Sequence, residues 1–269
     1  MVKVGAIIQV RLGSERLPNK ALLPLPFGGG PGLMEHVILR ACAATTLQEV
    51  VVATTESTTD DAILNFCTPN AIGCFRGSTD DVLDRFMQAA SKYKLDVVVR
   101  LTGDNPFVNP ETIDEAVQQH LEKKADYTIT EGLPLGTNVE VISFAALQRA
   151  AKEATETADR EHVTPYIRRE KGFSRQSIAY TSPIQALRLT IDYPSDYALA
   201  SLLYERLLQD ELYVRHEDIA ELVAENPWLY AVNAVNTQRQ AFASEEDELT
   251  EAKKLLQTGG FTRVLQKLQ

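Results

Sequence analysis

Between residues 3 and 101, four short apolar runs alternate with stretches of helical period. This rhythm constrains the fold more than any other feature. Lys3–Gln9 (KVGAIIQ), Glu49–Thr54 (EVVVAT), Ala71–Phe75 and Asp96–Leu101 (DVVVRL) have strand length. Their near-continuous Val and Ile content is expected of strands buried on both faces. Leu33–Ala44 has helical spacing, and Thr59-Asp60-Asp61 reads as the cap of a helix running to about Phe66. Ser78-Thr79-Asp80-Asp81 opens another helix, with Val82, Leu83, Phe86 and Ala90 on one face. Pro110 starts a helix that runs to about Lys124. Such an order calls for parallel strands, right-handed crossovers and helices on both faces of the sheet.

After Asp126 the rhythm changes. Asp126–Thr130 and Asn138–Ile142 read as two strands around a Gly/Pro loop, which makes the sheet mixed. Helices follow at Ser143–Ala154 and Asp159–Lys171, then strands at Ser177–Tyr180 and Leu187–Ile191, and mostly helix from Pro194. The predicted fold is α/β, a three-layer sandwich with a mostly parallel, mixed central sheet. A chain of 269 residues suits one such domain, here 1–235, with a C-terminal helical extension over 236–269 that offers a contact for a homodimer.

Composition narrows the partners. The formal charge of −10 argues against a chain whose main task is to grip nucleic acid or an anionic membrane. No apolar run approaches bilayer length and no signal peptide is apparent, so the expected location is the cytoplasm. Cys42, Cys67 and Cys74 are odd in number and lack a CxxC pair; they read as buried thiols of a reducing compartment. A basic pocket for a small polyanion is still compatible with the overall charge.

The segment leaving the first strand carries such a pocket: Gln9-Val10-Arg11-Leu12-Gly13-Ser14-Glu15-Arg16-Leu17-Pro18-Asn19-Lys20. In an open α/β sheet, ligands bind beyond the carboxyl ends of the strands. Arg11, Arg16 and Lys20 offer forked and point-charge contacts to phosphate oxygens, and Gly13-Ser14 allows close backbone approach. A solvated basic loop is the competing reading. The segment is neither a P-loop nor a dinucleotide fingerprint, because GxxxxGK[ST] and GxGxxG are both absent. The run Gly28-Gly29-Gly30-Pro31-Gly32 reads as a turn before the next helix.

Two carboxylates sit at predicted strand ends, Asp104 after DVVVRLTG and Asp192 after LTI. Converging on a triphosphate, they suit Mg²⁺, a hard cation that prefers oxygen ligands. Each alone reads first as the cap of a following helix, and the basic loop beside them turns the reading to metal. In Asp159-Arg160-Glu161-His162, Asp159 reads as a cap and Glu161 as a first-turn acid, while His162 is open to ligand contact. Trp228 after Asn226-Pro227 reads as packing.

Seven motifs follow one another in order between Gln9 and Tyr197: QVRLGSERLPNK, VVATT, FRGSTDDVLDRF, VRLTGDNPFVNP, GTNVEV, DREHVTPYI and LTIDYPSDY. The set resembles the cytidylyltransferases that activate sugar acids, and within them the branch like spore coat polysaccharide biosynthesis protein F. Two departures are Asn19, where that family often has Gly, and the Gly28–Gly32 insertion. The resemblance implies a nucleotide-diphospho-sugar transferase-like fold. It also implies that Gln9, Arg11, Gly13, Ser14, Arg16 and Lys20 hold the nucleotide, with Arg11, Lys20 and Asp104 catalytic. Thr54, Gly77, Ser78 and Asp81 would line the nucleotide pocket beside Arg76. Asn138, Glu140, Arg160, Glu161 and His162 would lie toward the acceptor, and Asp104 with Asp192 would bind Mg²⁺. The implied reaction transfers CMP from CTP to a sugar acid or related acceptor for cell-surface polysaccharide synthesis, in a homodimeric enzyme. A nucleotide-sugar-dependent glycosyltransferase is the alternative, yet Asp104 is followed by Asn105-Pro106 and no DxD motif forms. A non-catalytic nucleotide-binding protein is a further one, although Lys20 and Asp104 are both present.

Overall fold

The computed structural model describes residues 2–208, 213–236 and 245–267. Seven strands form one sheet: β1 (Val4–Gln9), β2 (Glu49–Thr55), β3 (Gly73–Gly77), β4 (Val97–Thr102), β5 (Tyr127–Glu131), β6 (Glu140–Ser143) and β7 (Arg175–Ala179). Their order is β3-β2-β1-β4-β6-β5-β7. Within it β6 alone runs antiparallel to its neighbours, so the sheet is mixed but mostly parallel. The register Gly5↔Val98 and Gly5↔Glu49 puts the carboxyl ends of β1, β2 and β4 along one edge.

Pleat alternation divides the strand residues between two helical layers. Ala6, Ile8, Val52, Val97, Val99 and Leu101 pack with α1 (Leu33–Ala43), α2 (Asp61–Cys67) and α4 (Pro110–Lys123). Ile7, Val51, Ala53 and Val98 pack with α3 (Val82–Lys92) and α5 (Phe144–Glu153). A third cluster joins Leu187, Leu189 and Ile191 to α8 (Pro194–Leu207) and α9 (His216–Glu225). Each side of the sheet is covered, so the chain is the three-layer sandwich that its alternating pattern predicts.

Five local expectations need correction. Strand β3 starts two residues later than the apolar run Ala71–Phe75, because Ala71 takes φ 55° and Ile72 donates back to Cys67 O to end α2. The predicted helix Asp159–Lys171 is two, α6 (Thr157–His162) and α7 (Pro165–Arg169). The break lies at Val163, which turns to φ 71°, while Thr164 keeps helical backbone and Pro165 opens α7 at its first position. Asp159 is not a cap; it is fully buried and takes both Arg169 nitrogens at 2.5 and 2.6 Å. Leu187–Ile191 forms no strand beyond a single bridge, Leu135↔Arg188, since its amides go to Leu135 O and Asp104 O. Neither Asp104 nor Asp192 caps a helix: Asn109 caps α4, and the N-cap of α8 is Tyr193, whose backbone N–H donates to Asp196 in the first turn. Two side chains also differ from expectation: Cys42 is exposed on α1, and Trp228 is 58% exposed.

Residues 1–235 and 236–269 form two separate compact units. In the second, α10 (Glu245–Thr258) and α11 (Thr262–Leu265) are joined by a Gly259-Gly260 turn. Residues 237–244 and 268–269 of the predicted extension lie outside the described residues. No described helix is long and apolar enough to cross a membrane.

Candidate active site

Three distant segments meet at the carboxyl edge of the sheet: the loop after β1, the turn after β4 and the run leading into α8. Lys20 ties them together. Its ammonium donates to Asp104 Oδ2 at 2.8 Å, Ile191 O at 2.8 Å and Asp192 Oδ1 at 2.9 Å, which uses all three protons. Arg16 reaches Asp192 Oδ1 at 3.1 Å and Tyr193 OH at 3.0 Å, and its guanidinium lies 4.5 Å from the Tyr193 ring centre. Arg188 closes the network, on Asp192 Oδ2 at 2.8 Å and Asp196 Oδ1 at 3.1 Å. Asp104 also accepts from Thr102 Oγ1 at 2.6 Å.

The charges set the titration. Burial pushes the Asp104 carboxyl up, but Lys20 and the Thr102 hydroxyl outweigh it and hold the group below the usual carboxylate range. Burial alone would depress the Lys20 ammonium; Asp104 and Asp192 raise it above its ordinary value instead. Lys20, Arg16 and Arg188 thus face Asp104, Asp192 and Asp196 as three cations against three carboxylates.

The arrangement bears on metal binding. Asp104 and Asp192 already share a single cation, the Lys20 ammonium, so their carboxylates converge on a space that accepts positive charge. This donor set of hard oxygens fits Mg²⁺. No group of three or more His, Cys, Asp or Glu side chains clusters for metal among the described residues. Mg²⁺ tolerates that, since it keeps waters and takes phosphate oxygens as ligands.

The other expected nucleotide residues fall into two groups. Arg11 is exposed and no described side chain pairs with it. Gly13 lies in a tight turn in which Ser14 N donates to Leu12 O at 2.8 Å; a Cβ on Gly13 would meet nothing within 4 Å, so the loop does not need a glycine there for space. Gln9 ends β1 on the α3 side, with a buried, unpartnered Oε1. At the end of β3, Gly77 leads into Ser78, whose hydroxyl accepts from Asp80 N and Asp81 N at 3.3 and 3.0 Å. Asp81 then caps α3 through Asp84 N at 2.9 Å. Thr54 lies apart from these: it faces the α1–α2 layer with Val52 and is wholly buried, its hydroxyl without a partner.

On the acceptor side, Glu140 is saturated. It takes Arg100 Nη1 at 2.6 Å, Thr164 Oγ1 at 2.8 Å and the Tyr127 hydroxyl. Burial pushes its carboxyl up, while Arg100 and the two hydroxyls hold it below the ordinary range. Tyr127 lies outside every motif, and Thr164 lies within DREHVTPYI without a role assigned to it; Arg100 had a signal, a lone charge inside an apolar strand. Arg100, Thr102, Asn105, Gly136, Asn138 and Glu140 line a small, partly open pocket beside Asp104. Arg100 Nε, Asn105 Oδ1 and Asn138 Oδ1 are buried there without partners, so hydrogen-bonding capacity is held in reserve. Thr164 is aimed at Glu140 by an unusual turn. Val163 sits at φ 71°, ψ −51°, and Thr164 N donates to His162 O at 2.8 Å, a classic-type γ-turn that strains a β-branched residue. Arg160 instead reaches across to Asp81 at 3.2 Å and to Ala154 O. The Glu161 and His162 side chains are exposed, and no described residue pairs with them.

Comparison with known proteins places this geometry. The family model for cytidylyltransferases matches residues 5–255. An uncharacterised protein of Methanocaldococcus jannaschii is 37% identical over 251 residues, covering 91% of this chain and 100% of its own. The spore coat polysaccharide biosynthesis protein SpsF of Bacillus subtilis is 38% identical over 208 residues, 74% of this chain and 85% of that protein. Among solved structures, a cytidylyltransferase from Leptospira borgpetersenii superposes with a TM-score of 0.79 at 27% identity, over 89% of this chain and 100% of that one.

Proposed function

Because the chain belongs to the cytidylyltransferase family, we propose that it transfers CMP from CTP to a sugar acid or related acceptor and releases pyrophosphate, in the service of cell-surface polysaccharide synthesis. The observation that carries this reading is the convergence of the β1 loop, Asp104 and Asp192 on one ammonium, Lys20. It is a site built for concentrated charge of both signs, beside a small polar pocket.

In the proposed reaction an acceptor oxygen attacks the α-phosphorus of CTP and the pyrophosphate oxygen leaves on the opposite side. No covalent enzyme intermediate is required, so catalysis rests on positioning and charge neutralisation. Arg11, with its side chain uncommitted, meets the phosphates first. Lys20 and Arg16 follow by exchanging carboxylate partners for phosphate oxygens. Asp104 and Asp192 would hold Mg²⁺, which neutralises charge on the α-phosphate and the leaving pyrophosphate. Glu140 does not bind the acceptor itself; it fixes Arg100 on the wall of the pocket that Asn105 and Asn138 share. Gly77, Ser78 and Asp81 border the nucleotide from the β3 side.

The test is pyrophosphate release measured with each of the four nucleoside triphosphates against sugar acids, sugar phosphates and phosphonates. Release with CTP and at least one acceptor is expected, and it should stop on chelation of Mg²⁺. Absence of release with every pair, or glycosyl transfer from a nucleotide sugar, would refute the proposal.

A further inference from the structure

Two arginines in the domain are almost wholly buried, and they are held very differently. Arg40 on α1 is 1% exposed; it donates to Val108 O at 3.0 Å and Val214 O at 2.7 Å, and it lies 5.1 Å from the Tyr213 ring centre. Its Nε is buried without a partner, as is that of Arg85, but two carbonyls and two aromatic rings take up the rest of the guanidinium, a structural role. Arg85 on α3 is also 1% exposed, but its guanidinium makes one hydrogen bond, from Nη1 to Ser78 O at 2.8 Å. Its Nε is buried with no partner, and no described carboxylate forms an ion pair with it. Asp60 is the nearest counter-charge, and it is already committed to Leu12 N at 2.8 Å and to the Thr55 hydroxyl.

A buried cation with this little compensation destabilises the chain that carries it. Burial, and then the charge of Arg11, pull the Arg85 guanidinium down to about 10, with Asp60 opposing only weakly. Two like charges are therefore held near one another at the carboxyl edge of the sheet. The backbone makes room for them: a Cβ on Gly77 would lie 3.1 Å from Arg85 Cγ, so any larger residue at the β3 exit would crowd the arginine stem. Arg85 thus sits beneath the Gly77-Ser78 turn, on the same side of the sheet as Gln9 and beside the loop that bears Arg11.

We propose that Arg85 is a phosphate-binding residue of the nucleotide site, its guanidinium and that of Arg11 together taking the phosphates of the nucleoside triphosphate. The proposal rests on the nucleotide reading above and adds to it Arg85, a residue of the FRGSTDDVLDRF motif to which that reading gave no role. The unpaired charge in the ligand-free protein is what a bound polyanion would complete. Lys20 and Arg16, by contrast, already have carboxylate partners.

The experiment is calorimetric titration of CTP and of inorganic tripolyphosphate into the wild-type chain, Arg85→Met and Arg85→Lys, with thermal unfolding of each ligand-free protein. Arg85→Met should lose tenfold or more in affinity for both ligands while melting no lower than wild type. Arg85→Lys should keep an intermediate affinity for tripolyphosphate. If Arg85→Met binds tripolyphosphate as wild type does, Arg85 does not touch phosphate. If it melts lower and weakens CTP alone, Arg85 is a prop for the Gly77-Ser78 turn; either result overturns the assignment. Wild-type protein that binds neither ligand would remove the nucleotide reading itself, and Arg85's role with it.

Discussion

Replacing Glu140 with Gln should cost this fold more than any single surface change, and the size of the effect can be worked from the structure. The Glu140 side chain is 12% exposed and its partner Arg100 18%, so water screens the pair little. The substitution removes a charge-assisted bond at 2.6 Å and weakens two more, from Thr164 and Tyr127. Removing one member of a buried pair costs about 3–5 kcal/mol. Residual exposure and the surviving amide oxygen favour the low end, about 3 kcal/mol, a large share of a typical domain's stability. Arg100→Met should cost a similar amount by stranding the carboxylate. The double variant should be much less than additive, with a coupling near 2 kcal/mol, because no charge is then left unpaired. Urea unfolding followed by circular dichroism at pH 7.5 measures all four corners of the cycle. Additivity within about 0.5 kcal/mol would refute the idea that Glu140 acts chiefly through Arg100. The pH dependence has a definite sign. The folded-state pKa of Glu140 is depressed, so its stabilisation is present above the ordinary glutamate range and is lost as pH falls through the lower folded value.

Other outcomes follow from the same geometry. Asp104→Asn should lower turnover by about a hundredfold or more with an unchanged circular dichroism spectrum, as expected where a charge stabilises the transition state; near-normal turnover would remove Asp104 from the metal role. Lys20→Met should abolish most activity but cost only about 1–3 kcal/mol of ligand-free stability, because Arg16 and Arg188 still hold Asp192. A urea midpoint that collapses entirely would show that Lys20 is structural before it is catalytic. His120 is 2% exposed beside the Thr128 hydroxyl, and burial lowers its pKa to about 4. Protonation then favours the unfolded chain, whose imidazole titrates normally, so stability should fall by up to about 3 kcal/mol as pH drops from 6.5 toward 4. His120→Gln should flatten that slope, as measured by unfolding midpoints at pH 7.5, 5.5 and 4.5.

How far these features were legible varies with the range of the interaction. DVVVRL reads as a buried strand because its partners on both sides are generic apolar residues. The role of Arg100 within it does not, since it depends on Glu140 lying opposite in the antiparallel register of β4 and β6, forty residues away. Leu187–Ile191 reads as a strand from composition, and its backbone needs are met instead by single contacts to Leu135 and Asp104. Those contacts are what bring Asp192 beside Lys20, so a wrong element assignment still delivered the right neighbour. The basic loop was visible as a cluster of cations. That Arg16 and Lys20 would be neutralised by carboxylates while Arg11 would not was a property of the assembled site alone.

That last distinction sets how substrate can bind. Lys20, Arg16 and Arg188 are matched by Asp104, Asp192 and Asp196, so this network contributes almost no net charge to a ligand at a distance. A triphosphate, with about four negative charges near neutral pH, would gain little from it unless the internal pairs broke. If Mg²⁺ enters between Asp104 and Asp192 together with the nucleotide, it brings two of the positive charges required. Arg11 and Arg85 bring two more, and neither has a carboxylate partner to give up. The sum matches a metal–nucleotide complex rather than either component alone. It follows that CTP and Mg²⁺ should bind with positive coupling: CTP affinity should fall at least tenfold on chelation, and Mg²⁺ affinity by the same factor when CTP is withheld, since binding linkage is reciprocal. Equal CTP affinity with and without metal would contradict this charge balance, and would mean that Lys20 and Arg16 leave their carboxylates at no cost.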